Sequence, residues 1–212
     1  MADCVLVANA PWRWTVEMVE LVRSASLVVA ADGGANHLAR IGVRADAVVG
    51  DLDSVRPGTR RWLGEDRMVL EPDQETTDLH KALAYAVRER DARRVTVLAA
   101  LGGRADHALE NLAIVARWTE RVAVAVREPG LLGVPVTGSV ELATAPGQTI
   151  SLLPLGRCPA VTTRGLRWEL SGESLDLLGR TSVSNVATGD RVTVTVSGGT
   201  LIAFLHSPIE DW

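Results

Sequence analysis

Short unbroken apolar runs in the first 126 residues limit what this chain can fold into more than any other feature. Residues 4–8, 27–31, 47–49, 95–101 and 122–126 are runs of this kind, with a weaker one at 68–70. Between them, apolar residues recur at helical spacing. Val16, Val19, Leu21 and Val22 form one such stretch, and residues 36–41 form another. Leu79, Ala82, Leu83, Ala86 and Val87 follow a Thr76-Thr77 pair that can cap a helix, and Leu109, Leu112, Ala113 and Ala116 share a face within 106–118. Strands buried on both faces read as continuous apolar runs, and their alternation with amphipathic helices gives a parallel sheet covered by helices. The expectation is an α/β N-terminal domain with a mostly parallel sheet over residues 1–129.

The texture changes after Arg127. Residues 128–139 are rich in glycine and proline, so a boundary is expected near Pro129. Threonine- and valine-bearing segments follow at 149–153, 191–196 and 201–205. Turn signals such as Thr188-Gly189-Asp190 and Ser197-Gly198-Gly199 separate them. This predicts a C-terminal all-β sandwich domain over 138–212.

Charge and composition exclude several classes. A net charge of −4 and a pI near 5.6 leave no nucleic acid and no membrane surface as expected partners. No apolar segment approaches the roughly 20 residues of a membrane span, and the Met-Ala-Asp start lacks a basic flank, so a cytoplasmic location is expected. Cys4 and Cys158 lack any pairing pattern and read as reduced core thiols. Lys81 is the only lysine among 22 basic residues.

In an open parallel sheet, ligands bind beyond the carboxyl ends of the strands. Asp32 follows the second run, Asp51 and Asp53 the third, and Asp106 the run ending at Leu101, while Asp78 opens a helix. Five carboxylates on one rim would repel one another unless a cation sat among them. Magnesium, with its preference for hard oxygen ligands and substrate phosphates, suits such a set. An extended Asp51-x-Asp53 segment would point both carboxylates the same way. Gly33-Gly34 and Gly102-Gly103 each stand between a strand and a helix, where backbone amides can approach a phosphate, and Arg104 can add a fork of donors. There is no Gly-x-x-x-x-Gly-Lys-Ser/Thr loop and no Gly-x-Gly-x-x-Gly fingerprint. His37, His80, His107 and His206 have no zinc spacing, and His107 stands open to two roles, phosphate contact or helix capping.

Taken together, these residues resemble a known family. Asp32-Gly33-Gly34-Ala35-Asn36, Gly50-Asp51-Leu52-Asp53-Ser54, Gln74 with Thr77-Asp78, and Gly102-Gly103-Arg104-x-Asp106-His107 are similar to four motifs of thiamine pyrophosphokinases, in order. Gly165-Leu166-Arg167-Trp168-Glu169-Leu170 and Ser182-Val183-Ser184-Asn185 match a fifth block. The resemblance implies transfer of a diphosphoryl group from ATP, as co-substrate, to thiamine. It implies magnesium held by Asp51, Asp53 and Asp78 with Asp32 close by. ATP would be met by Ser54, Arg104 and Asp106, with Gly33, Asn36 and His107 completing the nucleotide set. It also implies a homodimer with active sites at the subunit interface, where thiamine lies between Gln74 and Thr77 of one subunit and Trp168, Ser184 and Asn185 of the other. Asp78 is the candidate general base and Arg104 the cation assisting transfer.

Alternatives from the residues stay open: a pyrophosphokinase for another flat alcohol such as a hydroxymethyl pterin, or a non-catalytic nucleotide- or thiamine-binding module. Trp168 can stack on a cationic ring or serve as a core or interface tryptophan, and Trp12, Trp14, Trp62, Trp118 and Trp212 read as packing residues. The loop Asn9-Ala10-Pro11-Trp12-Arg13-Trp14 departs from the small polar loop expected after the first strand, so no ligand contact is assigned to it.

Overall fold

The structure is a computed structural model, and it describes residues 2–207. Trp212 lies outside the described residues. The chain forms two compact units: one takes residues up to Ile114 together with Arg121–Pro129, the other takes Val115–Glu120 and the residues from Gly130 onward.

Through residue 128 the elements run β1 (Ala2–Val7), α1 (Val16–Ser24), β2 (Leu27–Ala31), α2 (Gly34–Arg40), β3 (Ala47–Gly50) and α3 (Pro57–Leu63). A 3-10 turn (Glu65–Arg67), β4 (Met68–Leu70), α4 (Asp78–Arg88), β5 (Ala92–Leu98), α5 (Ala105–Trp118) and β6 (Ala123–Glu128) follow. The strands form a parallel sheet in the order β6-β5-β1-β2-β3-β4. The chain builds outward from β1 to β4, then returns to the other side of β1 for β5 and β6. Between β1 and β5 the direction of winding reverses, which opens a crevice beyond the strand ends. All five residues of β2 and all four of β3 are buried, as continuous apolar runs require.

Two helix faces differ from their spacing. In α1 the buried residues are Met18 and Val22, whereas Val16 is 77% exposed in the first turn behind the Thr15 N-cap. In α5, Leu109 is 56% exposed, and the inner face is Ile114, Val115 and Ala116. In α1 the buried pair, four residues apart, defines the inner face, and Val16 lies outside it.

Cys4 and Cys158 are free and buried, and burial pushes the Cys4 thiol up to about 12, which leaves it inert. No helix among the described residues is long and apolar enough to cross a membrane.

The second unit is antiparallel: β7 (Leu131–Ala143), β8 (Thr149–Pro154), β9 (Cys158–Arg164), β10 (Ser171–Leu175), β11 (Ser182–Val186) and β12 (Arg191–His206). Residues 131–139, glycine- and proline-rich, belong to strand β7, which pairs β12 from Leu131↔His206 to Ala143↔Arg191. Cross-strand pairing overrides the local turn signal there. Ser197-Gly198-Gly199 is likewise no turn between two strands. It lies at a register shift inside the single strand β12, with Gly198 at φ 82° and Gly199 at φ 77°. The first half of β12 pairs β9 and the second half pairs β8, so the shift moves one strand from one neighbour to another. A Cβ on Gly199 would stand 2.5 Å from the Arg157 carbonyl oxygen, which leaves glycine as the fitting residue. Alternating positions Ile150, Leu152, Val161, Val192, Val194 and Leu201 fill the core of this unit.

Candidate active site

Three carboxylates meet beyond the ends of β2 and β3. Ligand-capable oxygens of Asp32, Asp51 and Asp78 all lie within 4.8 Å of one another. Asp32 adopts a left-handed φ of 40°, and its backbone N–H donates to the Val49 carbonyl at 2.9 Å, which turns the chain as β2 ends. Asp78 is the first residue of α4, set by Thr77, whose hydroxyl accepts from the His80 N–H at 3.4 Å. Gly50 makes the convergence possible. A Cβ there would stand 2.9 Å from both Asp32 Cβ and Asp78 Oδ1, at a φ of 153°.

The segment carrying Asp51 and Asp53 is not extended. Leu52 takes a left-handed φ of 65°, and the Asp53 N–H donates back to Asp51 Oδ1 at 3.3 Å. This turn separates the two side chains. Asp53 stays exposed and accepts from the Ser54 hydroxyl at 2.9 Å, outside the three-carboxylate set. Asp106 is also outside it. Arg104 Nε donates to Asp106 Oδ1 at 3.1 Å, and that pairing holds the Asp106 carboxyl down to about 2. Three carboxylates therefore converge where five were expected. The physical reason is that Asp53 and Asp106 each find a local donor within two residues.

The three differ electrostatically. Asp32 is 2% exposed, and burial raises its carboxyl above the ordinary range; the negative charges of Asp78 and Asp53 push the same way. Burial also raises Asp78, which the Lys81 ammonium, 3.4 Å from its Oδ1, opposes. Asp51 is lowered, chiefly by the Asp53 N–H. Asp32 Oδ2 accepts from the Ser54 N–H at 3.2 Å, while its Oδ1 is buried without a hydrogen-bond partner. A buried carboxylate with one oxygen unpartnered and two further carboxylates within 4.8 Å is a costly arrangement without a cation. It fits a hard divalent cation, which would take oxygen donors from all three.

These groups line one wall of a cleft of about 550 Å³. Gln74 and Thr77 are on the same side, and Gln74 Nε2 donates to Asp51 Oδ2 at 3.4 Å. The cleft is also lined by Asn9, Ala10 and Pro11 after β1 and by Gly102, Gly103, Arg104 and His107 after β5. The glycines serve close approach: a Cβ on Gly102 would lie 2.6 Å from the Pro11 carbonyl oxygen, and one on Gly103 would lie 2.7 Å from Pro11 Cδ. Glu128 at the end of β6 clamps this loop. Its Oε1 accepts from the Ala100 and Leu101 N–H groups at 2.8 and 2.9 Å, and Asn111 Nδ2 donates to the Ala100 carbonyl at 2.8 Å. Burial raises the Glu128 carboxyl.

Other expected residues have structural employment. Gly33 is the residue before α2, and a Cβ on it would run into the Asn9 side chain at 2.3 Å. Asn36 donates to the Ser54 carbonyl at 2.9 Å and accepts from the Arg56 N–H at 3.0 Å, so its amide pins the loop after β3. Ser54 lines the cleft itself. The Trp12–Trp14 loop packs: the two rings meet edge to face at 5.5 Å, and Trp14 Nε1 donates to the His37 carbonyl at 3.1 Å. Trp118 is 2% exposed, and the Arg44 guanidinium lies over the Trp62 ring at 5.4 Å.

In the second unit, Trp168 is 58% exposed in the loop after β9, with the Arg167 guanidinium 5.2 Å from its ring centroid. Asn185 is buried and spent on that loop. Its Oδ1 accepts from the Trp168 N–H at 3.2 Å, and its Nδ2 donates to the Trp168 carbonyl at 2.7 Å. Ser184, at a left-handed φ of 57°, is exposed beside it. Lys81, Glu128 and Asn111 escaped the sequence reading. Glu128 and Asn111 act through backbone bonds that no motif announces. Lys81 carried a signal, being one turn from Asp78 on the same helical face.

Comparison with known proteins bears on this arrangement. The family model described as thiamin pyrophosphokinase, catalytic domain, matches residues 18–126, and that of the vitamin B1 binding domain matches residues 139–201. Thiamine pyrophosphokinase 1 of Oryza sativa subsp. japonica is 32% identical over 81% of this chain and 75% of its own length. The chain belongs to the thiamin pyrophosphokinase family. Thiamine pyrophosphokinase 1 of Arabidopsis thaliana is 30% identical over 80% of this chain and 74% of its own. Among solved structures, the thiamine pyrophosphokinase from Bacillus subtilis superposes with a TM-score of 0.85 at 20% identity, covering 98% of this chain and 100% of that one. The thiamin pyrophosphokinase from Candida albicans gives 0.83 at 19%, covering 97% and 90%. At these identities the structures speak for the fold, while the family models and the plant relatives carry the membership.

Proposed function

We propose that the chain transfers the diphosphoryl group of ATP to the hydroxyl of thiamine, releasing AMP, with magnesium held by Asp32, Asp51 and Asp78. The observation that carries this reading is Asp32, whose Oδ1 is buried without a partner and whose carboxylate lies within 4.8 Å of two others, in a cleft also lined by Gly102, Gly103 and Arg104. The three aspartates supply the oxygen donors, and a bound magnesium ion would supply positive charge to the phosphates. Arg104 offers a planar fork of donors to phosphoryl oxygens; it would exchange its exposed Asp106 partner for substrate at little cost.

The thiamine hydroxyl oxygen forms a bond to the β-phosphorus as the bond from that phosphorus to the AMP oxygen breaks. A loose transition state loses the hydroxyl proton late, so a carboxylate raised by burial suffices as acceptor, and Asp78 is the candidate. The cleft residues contribute mainly position and charge.

Thiamine carries a cationic ring, and the exposed Trp168 face suits it. We assign Trp168 to thiamine, with Asn185 holding its loop rather than touching the ligand, since both ends of that amide are occupied by Trp168 backbone. Val183, 58% exposed on β11, adds apolar surface near this end of the unit, in keeping with a second copy of the chain completing each site.

The test is AMP release from ATP and magnesium with thiamine as acceptor. Release with thiamine and none with a hydroxymethyl pterin supports the reading; release only with the pterin moves the acceptor. Tight nucleotide binding without AMP would leave a binding module. Trp168→Ala should raise the KM for thiamine about 10-fold or more, leave the KM for ATP unchanged, and leave the melting temperature unchanged. Equal effects on both substrates would remove Trp168 from the thiamine site.

A further inference from the structure

Lys81 stands out by type, burial and bonding together. Every other basic residue of the 22 is arginine, yet the basic side chain buried deepest beside the acidic cluster is the lone lysine. Its side chain is 6% exposed and lines the cleft from α4, one turn after Asp78. An arginine in that place would bring a broad planar head with five donors, whereas an ammonium is a compact charge with three.

The bonding is thin. Among the described residues its hydrogen-bond partner is Asp78 Oδ1 at 3.4 Å. A charge-assisted N–H···O bond normally closes to about 2.7–2.9 Å. A buried ion pair offsets its desolvation only when its geometry is good and its remaining protons are bonded. Buried at the cleft with one long bond, the Lys81 ammonium lacks the marks of a structural salt bridge. It has those of a group awaiting an anion.

We propose that Lys81 binds the travelling part of the nucleotide, donating to oxygens of the phosphates beyond the α-phosphate. This rests on the nucleotide reading above and deepens it. The argument is one of charge. A polyphosphate that approaches three carboxylates must be met by cations; Arg104 lines the same cleft, and Lys81 is the cation paired directly with a member of the cluster. With Asp78 engaged by a metal ion, the Lys81 ammonium would be left to donate to phosphate.

The experiment compares nucleotide binding by wild type, Lys81→Met and Lys81→Arg, using calorimetry with ATP and with AMP in magnesium and no thiamine. Lys81→Met keeps the length of the side chain and removes its charge. It should weaken ATP binding by about 30- to 100-fold, the loss of a hydrogen bond to a charged group, and AMP binding by less than about 3-fold. Lys81→Arg should recover part of the ATP affinity. Its unfolding temperature and the KM for thiamine serve as checks that the fold and the other substrate site persist.

Equal weakening of ATP and AMP, or no weakening of ATP in a folded Lys81→Met, would overturn the proposal and leave Lys81 a structural partner of Asp78. These outcomes are read from binding alone. Wild-type protein that binds ATP more tightly than AMP through Lys81, yet releases no AMP with thiamine, would sink the transfer reading while leaving this one standing.

Discussion

Asp51→Asn should lower turnover by about 10³-fold while shifting the melting temperature by no more than about 2 °C. The side chain of Asp51 is half-buried and does little for the fold: its oxygens accept from the Asp53 N–H and from Gln74 Nε2, both within the cleft rim. An asparagine keeps a carbonyl oxygen for one of those donors. What it loses is negative charge at the carboxylate that the Asp53 N–H holds below the ordinary range, the one of the three ionised most readily. A cation entering the cluster therefore meets Asp51 already charged, and the substitution removes that anchor without disturbing the buried pair behind it. The measurements are kcat at saturating magnesium and heat denaturation in chelator. Near-normal turnover with unchanged stability would take Asp51 out of the metal set.

Much of this site was legible because its positions follow from topology. Continuous apolar runs force a doubly covered parallel sheet, and such a sheet places whatever follows each strand on one rim. That rule gathers Asp32, Asp51, Asp53, Asp78 and Asp106 on the rim, and the first, second and fourth of them meet. What the pattern could not carry was local geometry. The left-handed Leu52 breaks the two-residue alternation that would have aligned Asp51 with Asp53, and a leucine at positive φ has no sequence signature. Asp106 is withdrawn from the cluster by an arginine two residues away, a competition between partners that spacing does not decide. In the second unit, turn-rich composition hid strand continuity. Ser197-Gly198-Gly199 bends β12 rather than ending it, because β7 pairs the strand on both sides of the shift. The motif marks Asn185 as a ligand contact, yet its amide is consumed by the backbone around Trp168. A motif marks where a residue is needed, not which of its atoms are free.

The two raised carboxylates lead to an expected result of opposite kind to the first: Asp32→Asn should abolish activity and make the metal-free protein more stable. The sign follows from linkage. Burial, reinforced by the Asp78 and Asp53 charges, raises the folded carboxyl of Asp32 above its unfolded value. The folded protein then holds that proton more tightly than the unfolded chain, so stability falls as pH rises from the unfolded value through the folded one. Above the folded value the whole cost is present.

Asparagine removes the charge and keeps an oxygen for the Ser54 N–H, while its amide protons can be offered to the neighbouring carboxylates of the cluster. In chelator at pH 7 the melting temperature should rise by about 2–4 °C, on the order of 1 kcal/mol for a chain this size. At a pH below both carboxyl values the difference should vanish, since wild-type Asp32 is then neutral as well. Adding magnesium should raise the wild type and move the variant little, so the two stability curves cross as the metal is titrated. A variant less stable than wild type in chelator would mean that Asp32 is held by contacts worth more than its repulsion. A variant with the same magnesium response as wild type would mean that the unpartnered Oδ1 is not a ligand. The crossing would be the signature of carboxylates that repel one another without a cation and are relieved by one.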